Sequence, residues 1–178
     1  MILQALFLML PAYFANMAPI FARNKLTFFD VPVDFNKKLF GQPIFGENKT
    51  IRGFLAGTVA SIVIVIIQKL LFQFSFIKSI SLINYDQQNF FILGFLFGFG
   101  ALFGDLVKSF LKRRFRIAPS KSVKIIDQLD YVVGSLFFVS IIYIPPISII
   151  ILALVMSIVL TIIINHLAYY AKLRNERW

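Results

Sequence analysis

Three aspartates, Asp105, Asp127 and Asp130, lie at the ends of hydrophobic segments of this chain. A charge at bilayer depth costs at least about 2.5 kcal/mol unless a partner, a metal ion or water relieves it. Asp127 and Asp130 are three residues apart and would share one helix face, where two carboxylates repel each other unless a cation lies between them. Carboxylate oxygens, with no cysteine in the chain and no histidine nearby, favour magnesium over zinc. The sequence therefore predicts a magnesium site with these three aspartates as ligands.

Polar and basic side chains accompany the first of these acids. Asp105, Ser109 and Lys112 are spaced by four and three residues, so a helix places them on one face, and Arg113 follows directly. A carboxylate, a hydroxyl and an ammonium group on one stripe predict a place where metal ions and phosphates meet. The alternative is that the acids only pair with the basic run ending at Arg116, as part of a topology signal. A topology signal, however, requires no acids.

A second candidate phosphate site is the run GENKTIRG, from Gly46 to Gly53. The two glycines permit close approach of the backbone, and the side chains between them supply donors near a helix N-terminus, where a phosphate is bound best. An ordinary basic loop is the alternative, because the glycine and lysine spacing of a P-loop is absent. The candidate donors are Asn48, Lys49, Thr50 and Arg52.

The composition identifies the chain as an integral membrane protein. Its 178 residues are 59% hydrophobic, with a mean hydropathy of +0.83, which leaves too few polar side chains to cover a soluble globule. The basic residues behind the net charge of +10 are confined to the links between apolar segments. Lipid headgroups and membrane topology explain them there, so no nucleic-acid partner is expected. The absence of cysteine excludes disulfides and thiolate metal sites.

Five segments are long and apolar enough to cross the ~30 Å hydrocarbon core of a bilayer, which takes roughly 20 helical residues. The first has no preceding Lys or Arg and is too long for a signal peptide. The last two are separated by Pro145 and Pro146, because proline removes a helix donor and restricts the residue before it. The predicted spans are Ile2 to Ala22, Phe54 to Phe74, Phe90 to Leu111, Ile125 to Ile144 and Ile147 to Ala171.

The distribution of Lys and Arg predicts the orientation of these spans. The links from Arg23 to Gly53 and from Lys112 to Lys124 are rich in basic residues, whereas the link from Ser75 to Asn89 holds only Lys78. The basic links are therefore expected in the cytoplasm, with the N-terminus outside and the C-terminus inside. We predict one all-α membrane domain over residues 1–178, whose two cytoplasmic loops form the active site.

Some residues have a simpler structural interpretation. The pairs Gly94/Gly98 and Gly100/Gly104 give the third span the spacing of small residues that lets neighbouring helices approach closely, and helix packing is the expected role of Gly94 and Gly98. Gly104 differs because it directly precedes Asp105. His166 lies near the inner end of the last span without a partner motif. It is expected to pack between helices rather than to act as a base or ligand.

Together these elements resemble the motifs of the CTP-dependent phosphatidate cytidylyltransferase superfamily, which makes CDP-activated lipids. Gly104-Asp105-Leu106, Ser109 and Lys112-Arg113 resemble its G-D-x-x-x-S-x-x-K-R element. Asp127-Gln128-Leu129-Asp130 resembles its D-R-x-D element.

The short archaeal branch of that superfamily, CDP-archaeol synthase, is the closer likeness. The run YFANMAP at Tyr13 to Pro19, the run GENKTIRG, and Pro32, Asp34 and Gly41 are similar to that branch. Bacterial and eukaryotic members carry K-D and P-G-H-G-G elements between the two acidic motifs, and the interval from Arg114 to Ile126 has neither. A compressed loop fits the short branch.

The resemblance implies that CTP reacts with unsaturated archaetidic acid (2,3-bis-O-geranylgeranyl-sn-glycerol 1-phosphate) in the bilayer, giving a CDP-lipid and pyrophosphate with magnesium required. It assigns magnesium and catalysis to the three aspartates, with Lys112 as a further catalytic residue. The side chains assigned to phosphate binding are Lys49, Arg52, Lys112 and Arg113, and those that donate further hydrogen bonds are Asn48, Thr50 and Ser109.

Two other functions remain open at this point. A CDP-alcohol phosphotransferase also uses aspartates and magnesium in the membrane, but its D-G-x-x-A-R opening is missing from this chain. A small transporter would place acids at mid-bilayer and would show broken or repeated helices. The acids here cluster at one face of the membrane, and the sequence has no inverted repeat.

Overall fold

The computed structural model describes residues 1–22, 29–117 and 126–170. In this part of the chain the regular structure consists of α-helices and one short antiparallel ribbon, whose strands β1 (Lys38–Leu39) and β2 (Gln42–Pro43) lie between the first two helices. The helices are α1 (Ile2–Ala22), α2 (Ile51–Leu71), α3 (Ser75–Ile80), α4 (Phe90–Arg114), α5 (Ile126–Val139) and α6 (Ile147–Tyr170).

Four of the described helices, α1, α2, α4 and α6, are long and apolar enough to cross a membrane. The predicted all-helical architecture is confirmed. Helix α5 is apolar but has 14 residues, a rise of about 21 Å at 1.5 Å per residue, and it ends at Val139 rather than at Ile144. The prediction of a fifth span therefore stays a prediction, and residues 118–125 before α5 lie outside the described part of the chain.

Two helices depart from the bounds that hydropathy predicts: α2 is shifted by three residues, since it ends at Leu71 rather than at Phe74, and α4 is longer. Helix α2 begins at Ile51 rather than at Phe54, because the Oγ1 of Thr50 accepts a hydrogen bond from the Gly53 N–H at 3.2 Å and caps the helix. Helix α4 continues past Leu111 to Arg114, where basic side chains in the last turn are favourable at the negative end of the helix dipole. The basic residues Arg52 in α2 and Lys112 to Arg114 in α4, which were predicted to lie in links, therefore lie in helices.

A buried glutamine supplies a hydrogen bond that the backbone of α1 lacks. Pro11 lies inside this helix and has no N–H to donate to the carbonyl of Phe7, four residues earlier. Gln68 of α2, which is 1% exposed, donates its Nε2 to that carbonyl at 2.6 Å. The bond satisfies a buried acceptor and fixes α1 against α2.

Helix α4 occupies the centre of the fold and packs against α1, α2 and α5. Its residues Leu93 and Phe97 are fully buried. The hydroxyl of Ser135, also fully buried, donates from α5 to the carbonyl of Phe97 at 2.8 Å. The packing leaves the last turns of α4 beside both the start of α5 and the segment before α2.

Candidate active site

A buried cluster of one lysine and two aspartates joins α4 to α5. The Nζ of Lys108 lies 2.8 Å from Oδ1 of Asp105 and 2.6 Å from Oδ2 of Asp130. Lys108 and Asp105 share a face of α4 because they are three residues apart. The Asp130 side chain reaches the same ammonium group from α5 and is 5% exposed. One lysine therefore holds two carboxylates together against their mutual repulsion.

Lys49 brings a second ammonium group to this cluster from the segment that precedes α2. It forms an ion pair with Oδ2 of Asp105, so Asp105 contacts a lysine through each of its oxygens. Asp130 is less well satisfied, since its buried Oδ1 has no hydrogen-bond partner among the described residues. A buried acceptor without a donor costs roughly 1–3 kcal/mol. A further donor or a cation would satisfy this oxygen.

Glycines make the approach of α4 to α5 close enough for this cluster. A Cβ on Gly100 would lie 2.6 Å from the carbonyl oxygen of Gly134, and a Cβ on Gly104 would collide with the carbonyl oxygen of Asp130. A Cβ on Gly134 would lie 2.9 Å from the Cα of Gly104. Backbone therefore meets backbone directly beside Asp105 and Asp130, as small residues permit between membrane helices.

The link before α2 is folded around a buried aspartate. Oδ2 of Asp34 accepts hydrogen bonds from the backbone N–H groups of Phe45 at 2.8 Å and Gly46 at 3.0 Å, and Oδ1 accepts one from Asn36 at 3.0 Å. Burial alone would raise the pKa of the Asp34 carboxyl, but these donors outweigh burial and hold its pKa below the usual value. Gly46 lies in the turn that follows, and its φ of +101° is in the left-handed region that favours glycine.

Backbone hydrogen bonds place Lys49 at the cluster. The N–H of Val33 donates to the carbonyl of Lys49 at 2.7 Å, and the N–H of Ile51 donates to the carbonyl of Val31 at 2.9 Å. Lys49 and Ile51 are therefore paired with residues 31–33 of the same link, around a bridge between Pro32 and Thr50. The position of the Lys49 ammonium follows from this pairing.

Arg114 fixes the ribbon to the end of α4. Its Nη1 donates to the carbonyl of Leu39 at 2.5 Å and its Nη2 to the carbonyl of Pro43 at 2.7 Å. The guanidinium carbon lies 5.0 Å from the centre of the Phe110 ring, in the geometry of a cation–π contact. This role of Arg114 could not be predicted from the sequence, because the accepting carbonyls are more than 70 residues away.

Three cavities larger than 300 Å³ adjoin the cluster among the described residues. The first, which we call the basic cleft, has a volume of about 520 Å³ and brings the segment before α2 against the last turns of α4. It is lined by Pro43, Phe45, Gly46, Glu47, Asn48, Lys49, Lys108, Ser109, Lys112 and Arg113.

The second cavity, the Arg52 cleft, has a volume of about 610 Å³ and lies on the other side of the same segment, towards α1. The third, the apolar groove, has a volume of about 380 Å³ between α4 and α5, and its polar side chains are Lys108 and Asp130. The Arg52 cleft is lined by Asn16, Pro19, Ile20, Asp30, Glu47, Asn48, Lys49, Thr50, Arg52, Gly53, Leu102 and Asp105.

The structure groups the predicted site residues into two sets. Asn48, Lys49, Ser109, Lys112 and Arg113 line the basic cleft. Thr50, Arg52 and Asp105 line the Arg52 cleft, together with Asn48 and Lys49. The stripe of Asp105, Ser109 and Lys112 predicted on one helix face is thus divided between two cavities.

Of the three predicted metal ligands, Asp105 and Asp130 are brought together by Lys108, and the side chain of Asp127 lies outside the described residues. Within the described part of the chain no group of three acidic or histidine side chains could hold a metal ion. Of the two described carboxylates, Asp130 fits a magnesium ion through its unpartnered Oδ1, whereas Asp105 would have to exchange a lysine for the ion. The ring Nδ1 of His166 lies 2.9 Å from the carbonyl of Ile162, a bond within its own helix.

Sequence reasoning missed Lys108. A signal was present, because Lys108 follows Asp105 by three residues and so lies on its face of the helix. The prediction selected Ser109 and Lys112 instead, which follow Asp105 by four and seven residues and so share its helix face as well. The partner on α5, Asp130, could not be assigned to Lys108 without the packing of the two helices.

Known proteins match this chain over its whole length. The family model for CarS-like CDP-archaeol synthase matches residues 1–178. The CDP-archaeol synthase of Pyrococcus furiosus is 34% identical over 178 residues, covering 99% of this chain and 98% of that protein. The CDP-archaeol synthase of Methanococcus maripaludis strain S2 is 36% identical over 180 residues, covering 100% of this chain and 97% of that protein.

A solved structure is also similar. It is described as an intramembrane enzyme for archaeal membrane lipid biosynthesis, and it superposes with a TM-score of 0.76 at 29% identity. The superposition covers 93% of this chain and 94% of that one. With four described helices able to cross a bilayer, this likeness identifies the chain as a multi-pass membrane protein.

Proposed function

We propose a function that starts from one fact: this chain belongs to the CDP-archaeol synthase family. It is a membrane nucleotidyltransferase that transfers CMP from CTP to unsaturated archaetidic acid, giving CDP-archaeol and pyrophosphate for ether lipid synthesis. The observation that carries this proposal is the buried Asp105–Lys108–Asp130 cluster beside a cleft lined by four basic side chains. Such a cluster suits the joining of two phosphates at the membrane surface.

The reaction requires positioning and charge neutralisation more than acid or base catalysis. An oxygen of the lipid phosphate forms a bond to the α-phosphorus of CTP, while the bond from that phosphorus to the β-phosphate oxygen breaks and pyrophosphate leaves in line. The attacking oxygen is already anionic, so no side chain must remove a proton from it. The described cluster supplies cations in Lys49 and Lys108 and carboxylates in Asp105 and Asp130.

Asp105, Asp127 and Asp130 would hold the magnesium. When bound, magnesium neutralises the triphosphate and activates the attacking oxygen. Lys112 and Arg113 bind the triphosphate in the basic cleft, where Asn48 and Ser109 donate hydrogen bonds.

The orientation proposed from the sequence suits this site. Five spans with an external N-terminus and a cytoplasmic C-terminus would place the link before α2 and the link after α4 in the cytoplasm. The basic cleft is formed by the segment from Pro43 to Lys49, which belongs to the link before α2, and by the end of α4. CTP would thus reach the cleft from the cytoplasm, and the lipid from the bilayer.

The test is a reaction with purified full-length protein, CTP, magnesium and archaetidic acid, scored for CDP-lipid and pyrophosphate. We expect equal amounts of both products, and none without CTP or magnesium. Consumption of added CDP-lipid with an alcohol acceptor, in place of its synthesis, would identify a CDP-alcohol phosphotransferase and contradict the proposal.

A further inference from the structure

The basic cleft and the Arg52 cleft lie on either side of one short segment. Glu47, Asn48 and Lys49 line both cavities. An anion bound in either cleft would therefore lie beside the same lysine. A reaction that joins two phosphates needs two such places next to each other, with a cation between them that reduces the repulsion.

Arg52 is a buried cation with unused donors. It is 6% exposed, and its Nη2 lies 2.9 Å from Oδ1 of Asp30, a carboxylate whose side chain is half exposed. Its Nε and Nη1 are buried and have no hydrogen-bond partner among the described residues. A guanidinium presents its donors in a planar fork that matches the oxygens of a phosphate. An anion in the adjoining cleft would supply the acceptor that these donors lack.

The charges of the two clefts differ. The basic cleft has four basic side chains and one acidic side chain, Glu47, in its lining. The Arg52 cleft has two basic side chains, Lys49 and Arg52, and three acidic ones. A triphosphate, with about four negative charges, is therefore favoured in the basic cleft. The Arg52 cleft suits a single phosphate group that uses a few directed bonds.

The Arg52 cleft also adjoins the bilayer. Pro19 and Ile20, near the end of α1, form part of its lining. Ile20 is 72% exposed and its neighbour Phe21 is 69% exposed, as side chains facing lipid are. The apolar groove between α4 and α5 adjoins lipid too, but its two charged side chains, Lys108 and Asp130, are already paired with each other.

We propose that the Arg52 cleft binds the phosphate of the lipid substrate, through Arg52. The triphosphate of CTP then occupies the basic cleft, and Lys49 lies between the two phosphates. This inference rests on the proposed function, because it assigns the two substrates of that reaction to two cavities.

Bisubstrate kinetics on purified full-length protein in mixed micelles test the assignment. Arg52→Gln is expected to raise the KM for archaetidic acid about ten- to a hundredfold, the size of a lost charged hydrogen bond, and to leave the KM for CTP within about twofold. Arg113→Gln is expected to do the opposite, since Arg113 lines only the basic cleft of these two. Arg52→Lys keeps the charge without the fork and should fall between wild type and Arg52→Gln in its lipid KM.

The control measurements distinguish three other causes of a changed KM: a misfolded variant, a general loss of positive charge, and lipid binding in the apolar groove. Lys69→Gln removes a cation from the other end of α2, where Lys69 lies over the ring of Phe90, and should change neither KM. Unchanged CTP binding by Arg52→Gln, measured by calorimetry without lipid, shows that the variant is folded. A rise in the CTP KM of Arg52→Gln equal to that for lipid would overturn the assignment. So would a lipid KM that responds to Val133→Trp in the apolar groove but not to Arg52→Gln. A wild-type protein that forms no CDP-lipid would instead refute the proposed function itself.

Discussion

Lys108 and Asp130 form an ion pair of 2.6 Å that crosses from α4 to α5 at a point where the Asp130 side chain is 5% exposed. Removing one partner of a buried ion pair leaves an uncompensated charge and typically costs about 3–5 kcal/mol. The pair also sets the separation of the carboxylates of Asp105 and Asp130, since the same ammonium group contacts both. Lys108 is therefore a positioning residue for the proposed metal site.

Replacing Lys108 by methionine should make the protein depend on magnesium for stability. We expect Lys108→Met to lower the Tm in the absence of magnesium, because the cation between the two carboxylates is lost and only Asp105 keeps a lysine partner, Lys49. Added magnesium should restore much of the loss. The measurement is thermal unfolding in detergent with and without Mg²⁺, and Lys69→Met serves as the control. Equal stabilisation of wild type and Lys108→Met by magnesium would contradict this role.

The aspartates should be essential for turnover without being essential for insertion. Asp127→Asn and Asp130→Asn are each expected to reduce the rate of CDP-lipid formation by about a hundredfold or more, the size of a lost charge-stabilising group. The variants should still be found in the membrane fraction as monodisperse protein. Near wild-type turnover of either variant at saturating magnesium would refute the metal role of that residue.

Adding one methyl group between α4 and α5 should damage the site selectively. In Gly134→Ala the new Cβ meets the backbone of Gly100 and Gly104, so the helices must separate and Asp130 must move away from Lys108. We expect an activity loss of at least tenfold and a lower magnesium affinity, since misplacement by about 1 Å can cost a hundredfold.

Gly94→Ala is the matched control for this substitution. Its Cβ would lie 2.6 Å from the Cα of Ile62, a comparable clash at the interface of α4 with α2. It should lower the Tm with no change in the magnesium concentration required for half-maximal rate. The same magnesium shift in both variants would show that the glycines act only through general stability.

The buried carboxylate of Asp34 should stabilise the link before α2 in a pH-dependent way. Folding lowers the pKa of Asp34 from its ordinary value of 3.8. Its contribution to the free energy of unfolding is therefore fully present above that value. The contribution is lost as the pH falls through the lower pKa of the folded state. Asp34→Asn should therefore lower the Tm at neutral pH, and the difference from wild type should shrink below about pH 3.8. The exposed Asp86 provides the control, Asp86→Asn, for which no such difference is expected.

Single cysteines can test the orientation, since the native chain has none. In Asn36→Cys and in Lys121→Cys, the latter outside the described residues, an impermeant thiol reagent applied to intact cells should not react. Gln87→Cys, exposed in the link before α4, should react from outside. Labelling of position 36 or 121 from outside would overturn the predicted topology.

Four of the predicted spans correspond to long apolar helices because each is a long apolar run, but their ends depend on interactions that hydropathy does not register. The start of α2 is set by the hydroxyl of Thr50, and that shift of three residues moves Arg52 from a loop into a helix. Helix α4 ends later than predicted because its last turn consists of basic residues, which a hydropathy criterion excludes from a span. Phe90 was predicted correctly as the start of α4, where the side chain of Asn89 caps the helix.

That Asp105 and Asp130 lie close together could be anticipated from the rarity of acids in such a chain, but the lysine that joins them could not. The chemistry assigned to them stays a prediction. The division of the predicted phosphate-binding residues between two clefts depends on the fold of the link before α2, which Asp34 and Arg114 hold through backbone atoms. Such contacts leave little trace in a single sequence, because any residue can provide a carbonyl or an N–H.

The direct backbone contact of Gly100, Gly104 and Gly134 has a consequence for the membranes in which this protein can work. Helices adapt to bilayers of different thickness by tilting, and side chains at an interface normally rearrange as they do so. Between α4 and α5 there are no side chains at these positions to rearrange, so the two helices should tilt as one body. The distance between the carboxylates they carry would then be insulated from changes in lipid composition or growth temperature.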